Sequence, residues 1–515
     1  MDLMIEGNIR TLSNAVPHVE AVGVEHGKIV AAGPAKEVQK AVHKNTEYLD
    51  LRGKTIFPGF FDTHMHPINA GKTVLHLDLS NVTSIASMQA KLRQQAKTTL
   101  PGETIIAVNF LEYTMAERRV PTCRELDDIS IEHPIAIEYY DGHSAIFNSR
   151  MFALTNILPG MEGVALDNAG AVTGLVAGPA LYPARKKFQP VTDDRILAYT
   201  EAAVQEALKV GITTLHMKDS LANLKVILSR EADFPVHIKP LVKVSPGDIG
   251  MLDDILNADI LQGRATVCLF ADGAPDSRTA AYFEPYLDDL SNYGMLYFTD
   301  GELEQAVEKI HRAGFQASIH TCGTRAIEQA VGAYEKVLQN HPRSDHRHRI
   351  EHVEMPLKHQ IKRAVRAGIT FGLQPSFLFY AGDETLQVMT GFLGWDRVQR
   401  YKPLRTILDQ GGLIAGGSDA SVTPMSPLRG IFACVNHPIE KHRITRYEAL
   451  RLFTVNGAMI GFEENLKGCI EVGKLADFTV LAEDIYQVPR EKIGDIEVAM
   501  TIVNGKVAYR AGEPN

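Results

Sequence analysis

The chain has 515 residues, of which 45% are hydrophobic and 22% charged, and it carries a formal net charge of -9. Such a chain can bury a large core, and an acidic balance without a long basic run argues against a nucleic-acid partner and for a neutral or small substrate. Five cysteines (Cys123, Cys268, Cys322, Cys434, Cys469), odd in number and without a C-x-x-C pair, argue against a disulfide framework; with neither a leader pattern nor a membrane-length apolar run, the expectation is a soluble cytoplasmic protein with no membrane partner.

In chain order, the first segment reads as short strands and turns. "AVGVEHGKIVAAG" sets two apolar runs around Glu25, His26 and Gly27, a hairpin signal. The last segment resembles it. "ADFTVLAED" and "AMTIVNGKVAYRAG" are β-rich, with an Asn-Gly turn at Asn504 and Gly505. Residues 1–55 and 462–515 are therefore expected to pair into one small β domain. Residues 56–461 alternate strands with helices. "GITTLHMKD", "ATVCLFADGA", "FQASIHTCG", "HRIEHVE", "GITFGLQP" and "GLIAGGSDA" read as strands, and "DGELEQAVEKIHRAG" and "LKHQIKRAVRAG" as amphipathic helices. This repetition implies parallel strands. With "DTHMHP" and "PIAIEYYDGH" the count reaches about eight, the number that closes a (β/α)8 barrel. An open doubly wound sheet would need a phosphate-type glycine loop near its first strand, and none is present. The stretch from about 68 to 132 is too long for a simple connection and predicts an inserted subdomain or lid beside the barrel mouth.

The chemistry begins at "GFFDTHMHP". Side chains at i and i+2 of a strand share a face. His64 and His66 therefore aim into one space beside Asp62, and two imidazoles so placed can share a metal ion. Further candidates come late in their strands: His320 closes "FQASIH", His352 sits in "RIEHVE" and Asp419 follows "LIAGGS". A barrel gathers such strand ends on the rim that carries its active site. Singly, a strand-end His reads as a hydrogen-bonded structural residue and an Asp after Gly-Ser as a turn or cap. The ordered set on successive strands predicts a metal site. His341, His346 and His348 in "NHPRSDHRHR" read as a solvated loop, and His437 and His442 as similar.

These residues resemble the amidohydrolase superfamily, and within it the YtcJ-like amidohydrolase 3 branch that includes N-substituted formamide deformylase-like enzymes. The resemblance covers nearly the whole chain and is carried by "GKTIFPGFFDTHMHP", "DGHSAIFNS", "GITTLH", "FADGAPDSRTA", "SIHTCGTRAI", "HRIEHVE", "LQPSF", "GGSDASVTPMSPL" and "LKGCIEVGKLADFTVL". It implies a metal-bearing (β/α)8 barrel with a β-sandwich built from both termini. It also implies that His64 and His66 are ligands on the first strand, His320 and His352 ligands on the fifth and sixth, and Asp419 a ligand on the eighth that also moves protons. One position departs from the pattern. Where the branch carries a carboxylated lysine bridging two metals, this chain has Cys268, a zinc-competent thiol or a buried small residue. Lys218, which shares strand parity with His216, is the rival source of a carboxylated lysine. Cys322 reads as a core residue. The resemblance thus implies one or two divalent ions per chain, with zinc favoured by His, Asp and Cys donors.

The expected reaction is attack on a substrate carbonyl by a metal-bound hydroxide, available because the cation lowers the pKa of its water to about 7. Asp419 would shuttle the proton and His352 would help stabilise the oxyanion. His143, Asp272, Arg278 and Gln374 are candidates for substrate contact, the alternatives being a tied loop and a strand-end cap. The leading expectation is hydrolysis of a non-peptide C–N bond in an amide, formamide or related small molecule. An ester or lactone hydrolase and a non-catalytic regulator on the same barrel are the alternatives, and a homo-oligomer stays open.

Overall fold

The computed structural model describes residues 1–139, 144–380 and 382–513. Eight strands line up in one parallel sheet in chain order: Phe60–Met65 (β1), Ile212–Asp219 (β2), His237–Lys243 (β3), Thr266–Phe270 (β4), Gln316–Thr321 (β5), Arg349–His352 (β6), Thr370–Leu373 (β7) and Ile414–Gly416 (β8). The seam between β8 and β1 is bridged by Asp419 N–H to His64 O at 2.7 Å and His66 N–H to Ala420 O at 2.8 Å. Gly417 permits that approach, since a Cβ there would lie 2.8 Å from His64 N. The result is a (β/α)8 barrel, with helices such as Asp300–Arg312 and Thr324–Asn340 following their strands. The first of these starts at a capping box, Thr299 with Glu302, and buries Leu303, Val307 and Ile310 on one face.

Two sequence expectations change here. "PIAIEYYDGH" is not a barrel strand. Its described part, Ile135–Tyr139, belongs to a second sheet of six strands, within a separate compact unit spanning Ile68–Ala203. The insertion is therefore longer than 68–132. Alternation identifies a strand but not the sheet it joins, so a run buried on both faces fits either. The barrel's third strand is instead "HIKPLVK", which the sequence reading passed over. Pro240 interrupts that run, and proline lacks the N–H a ladder uses. The inserted unit has its own apolar interior, built from Phe147, Met151, Leu181 and Phe188 on one side and Met88, Leu92, Leu126 and Ile137 on the other.

Both chain ends build a single seven-stranded sheet, ordered Lys506–Arg510, Val498–Val503, Phe478–Leu481, Glu47–Pro58, Leu3–Arg10, His18–Glu25 and Lys28–Gly33. Among the described residues these strands form one hydrogen-bonded sheet, built from the two terminal segments that the resemblance assigns to a β-sandwich. Its hairpin turns at His26-Gly27 and Asn504-Gly505 have positive φ at both residues, 50° and 74° in each case, as a type I′ turn requires. Ile56 belongs to this sheet, pairing with Ile9 and Val480, so the barrel starts at Phe60 and not at 56. Ile5, Val22, Phe478 and Ile502 lie in its buried core. Among the described residues no helix is long and apolar enough to cross a membrane.

Candidate metal centre

Strand β1 carries Asp62 and His64 on one parity, and His66 follows just past its end. Asp62 is buried and accepts N–H bonds from His64 at 3.2 Å and Ser418 at 2.9 Å, together with the Ser418 hydroxyl. Burial pushes its carboxyl up to about 6 against these donors. Its structural effect is to pin the turn after β8 onto β1, which delivers Asp419 beside the two histidines.

The hydrogen bonds of each imidazole settle which nitrogen faces the shared space. His64 Nδ1 lies 2.9 Å from Glu351 Oε2, so it donates there and turns its Nε2 lone pair inward. That Nε2 is 3.4 Å from Asp419 Oδ1 and 3.3 Å from Lys218 Nζ. His66 Nδ1 lies 3.1 Å from Lys218 O, again as donor, and its Nε2 is 3.1 Å from Asp419 Oδ1. His352 enters from β6 with φ of 67°, followed by Val353 at 44°. These left-handed angles are uncommon for non-glycine residues and turn the chain sharply at the strand end. Lys402 Nζ holds the bend by donating to His352 O at 3.1 Å. The His352 ring lies 5.2 Å from that of His64, and its Nδ1 is buried with no hydrogen-bond partner. His64, His352 and Asp419 each offer a donor atom, and these atoms all lie within 4.8 Å of one another.

Electrostatics set the protonation states that such a site needs. Burial, helped by Lys218, lowers the His64 pKa. Burial and its neighbours His320 and His64 hold His352 well below the usual imidazole range. Both rings present neutral nitrogens at pH 7, the form that ligates a cation. Burial alone would raise the Asp419 carboxyl, but His64, His66 and Lys218 more than reverse this and hold it below the usual carboxylate range. The orphaned imidazole nitrogen and the His–His–carboxylate donors fit a divalent cation.

Glu351 is the functional residue that sequence reasoning missed. It is fully buried, ion-paired to Arg349 Nε at 2.7 Å and hydrogen-bonded by Ser318 Oγ at 2.7 Å. The signal was present in "HRIEHVE", where Arg349 and Glu351 share the parity opposite to Ile350.

The other sequence-selected residues are distributed around this group. Lys218 is buried at the end of β2 with Nζ 4.4 Å above the Phe270 ring. Cys268 is buried one pair deeper, opposite Ser318 in the β4–β5 register, and is in neither donor group among the described residues. Burial raises its thiol to about 11. His320 joins Asp272 and Cys322 in a second group instead of the first. Burial and Lys218 bring its imidazole down to about 3. The Asp272 carboxylate accepts three backbone N–H bonds, from Ala281, Cys322 and Gly323, and so ties its loop. Arg278 pairs with Asp288 at 2.6 Å and stacks 3.8 Å from the Phe392 ring. Gln374 is fully buried with Oε1 unpartnered. His143 lies outside the described residues. Four of the five histidines expected to be solvated are not: His346, His348, His437 and His442 are buried and hydrogen-bonded, while His341 stays partly exposed beside Glu308.

A crystal structure of a metal-dependent hydrolase from Pyrococcus horikoshii OT3, 24% identical in sequence, covers 95% of this chain and 99% of its own with a TM-score of 0.78, a shared fold. The amidohydrolase YtcJ of Bacillus subtilis (strain 168) is 30% identical over 535 residues, 98% of each chain. The N-substituted formamide deformylase of Arthrobacter pascens is 26% identical over 548 residues, 99% of this chain and 98% of its own. The model of the amidohydrolase family matches residues 47–509, and with nearly the whole length accounted for, the chain belongs to that family.

Proposed function

We propose that this metal-dependent hydrolase cleaves a carbon–nitrogen bond other than a peptide bond, in an amide, formamide or related small molecule. The carrying observation is the donor set of His64, His352 and Asp419, with atoms within 4.8 Å of one another at the C-terminal rim of the barrel. The likeness to a formamide deformylase supports placing formamides among the substrates.

In this reading His64, His66, His352 and Asp419 hold a divalent cation, and their nitrogen and carboxylate donors favour zinc. Such an ion supplies a Lewis acid that polarises a carbonyl oxygen and acidifies a water. Asp419 carries the proton. Its carboxyl is held ionised chiefly by His64 and His66, so it accepts a proton from the attacking water and returns it to the leaving nitrogen. Glu351 keeps the His64 tautomer fixed, and Lys402 keeps His352 aimed. Between the two candidates for the remaining ligand, Lys218 is the better placed. Its Nζ reaches His64 Nε2 at 3.3 Å, where a carboxylated side chain would add oxygen donors, whereas Cys268 lies deeper.

The test is turnover of matched small amides, N-substituted formamides and esters by the purified protein, with metal content measured in parallel. We expect amide or formamide hydrolysis that a chelator abolishes. Asp419→Asn should lower turnover by at least about 100-fold. Wild-type rates in a metal-loaded Asp419→Asn variant would remove Asp419 from proton transfer. Ester turnover without amide turnover would overturn the C–N assignment.

A further inference from the structure

Segment 460–467 packs against the N-terminal ends of the barrel strands, opposite the metal centre, and strand side chains hold it there. Lys239 on β3 donates to Gly461 O at 2.9 Å, and Gln316, the first residue of β5, donates to Ile460 O at 2.9 Å. Lys467 pairs with Glu463 at 2.8 Å and reaches Thr214 Oγ1 on β2 at 3.4 Å. That end of a barrel ordinarily serves stability. One side chain of this segment, however, looks inward. Glu463 Oε2 is buried without a hydrogen-bond partner and lies 3.8 Å from His216 Nε2, which is likewise buried and unpartnered. Gly461 leaves room for the approach: a Cβ there would lie 3.0 Å from Glu463 Oε2 and 3.2 Å from His216 Nε2.

The tautomer of His216 is fixed from its other side. Arg349 Nη1 lies 3.4 Å from His216 Nδ1, and a guanidinium only donates, so Nδ1 accepts and the ring proton sits on Nε2, toward Glu463. Arg349 also donates from Nη2 to Thr63 O at 3.0 Å, and its Nε pairs with Glu351 at 2.7 Å. Glu351 then takes the Nδ1 proton of His64 at 2.9 Å. A carboxylate, an imidazole, a guanidinium and a second carboxylate thus follow one another through the barrel and end on a metal-facing imidazole. His216, Arg349, Glu351 and His64 are all fully buried, so solvent screens their mutual attraction little. Burial would raise the Glu463 carboxyl, but His216 and Lys467 more than reverse this and keep it ionised.

We propose that Glu463 is a positioning residue for the metal centre at the opposite end of the barrel, acting through His216, Arg349 and Glu351 on the His64 imidazole. The proposal rests on the metal-binding reading above and adds to it a residue of the C-terminal segment. The Glu463 charge keeps the His216 proton on Nε2. Without that charge the proton is no longer held there, and a His216 ring protonated on Nδ1 sets one donor against another at Arg349. The guanidinium then loses one of the contacts that aim it at Glu351, and Glu351 is the group that sets the tautomer of His64.

The test measures zinc affinity of the full-length protein by competition with a chromophoric chelator, in wild type, Glu463→Gln, Glu351→Gln and the double variant. The thermal midpoint of each metal-free protein checks folding. Glu463→Gln should lower affinity about 2–30-fold in the wild-type background. In the Glu351→Gln background it should lower it by less than about 2-fold, because the link it acts through is already gone. Gly461→Ala, which pushes Glu463 from His216, should lower affinity in the same way, and decides the matter if Glu463→Gln does not fold. Lys239→Met loosens the same segment outside this series of groups and should lower the midpoint alone. Wild-type affinity in a folded Glu463→Gln variant overturns the proposal. Equal losses in both backgrounds, or a loss in Lys239→Met as large as in Glu463→Gln, also overturn it and leave Glu463 a structural residue. With zinc bound by the wild type, these results remove the proposal alone; a wild type that takes up no zinc removes the metal reading with it.

Discussion

Glu351 is fully buried, and it decides what His64 offers. Its carboxylate takes the Nδ1 proton of His64 and is itself fixed by Arg349 and Ser318. Burial would raise its pKa, but Arg349 and His64 dominate and keep it ionised. Glu351→Gln preserves volume while removing the charge that orients the imidazole. We expect metal affinity to fall about 10–100-fold, measured by competition with a chromophoric chelator. Unchanged affinity would mean that the neighbours orient His64 unaided. At this scale the sequence was most legible where parity carried the information. His64 with His66, and Asp419 after its glycines, came straight from spacing. Glu351 was overlooked because a carboxylate between Arg349 and His352 also reads as an ordinary ion pair, and only the barrel closure brings His64, 287 positions away, against it.

Strand β7 supplies the space in which Glu351 sits. A Cβ at Gly372 would lie 2.0 Å from Glu351 Oε2 and 2.7 Å from its Cδ, so that strand must be bare at this point. Gly372→Ala is therefore expected to displace Glu351 from His64, lowering both the thermal midpoint of the metal-free protein and its affinity for metal. Gly391→Ala, where nothing lies within 4 Å of the added carbon, should leave the affinity unchanged. Equal behaviour of the two variants would disprove the steric account. Seven of the eight barrel strands were readable from apolar runs that end in polar residues. The third was hidden by Pro240, and its place was given to a run that hydrogen-bonds in the inserted unit, because local pattern carries no record of which edge a strand will find.

Several histidines far from the centre shape the molecule's response to acid. His437 is buried, with Nε2 3.2 Å from the Tyr401 and Lys402 carbonyl oxygens and Nδ1 accepting the Ile439 N–H at 3.0 Å. Both nitrogens are used by the neutral ring, and burial brings its pKa down to about 3. His346, His348 and His442 are lowered by burial as well. The unfolded chain protonates these rings near pH 6.5 and the folded chain only at lower pH, so below about pH 6.5 the unfolded state binds more protons and stability falls as pH falls, down to about pH 3 for His437. His437 alone accounts for about 2 kcal/mol at pH 5. The thermal midpoint should drop on going from pH 7 to 5, and less so in His437→Gln. A midpoint flat across that interval would contradict this account. Local pattern hides this: a polar run rich in His and Arg looks solvated, and only tertiary packing shows that its rings point inward.

The strand Glu47–Pro58 lies between Leu3–Arg10 and Phe478–Leu481 in the terminal sheet. Its inner neighbour leaves the ribosome early; its outer neighbour emerges only after more than four hundred further residues. Through most of translation Ile56 and Phe57 face no partner on that side, and the edge they form is open to pairing with any passing strand. Completion of the tail is thus the event that seals the protein, so a nascent chain stalled short of residue 478 should be a client for chaperones.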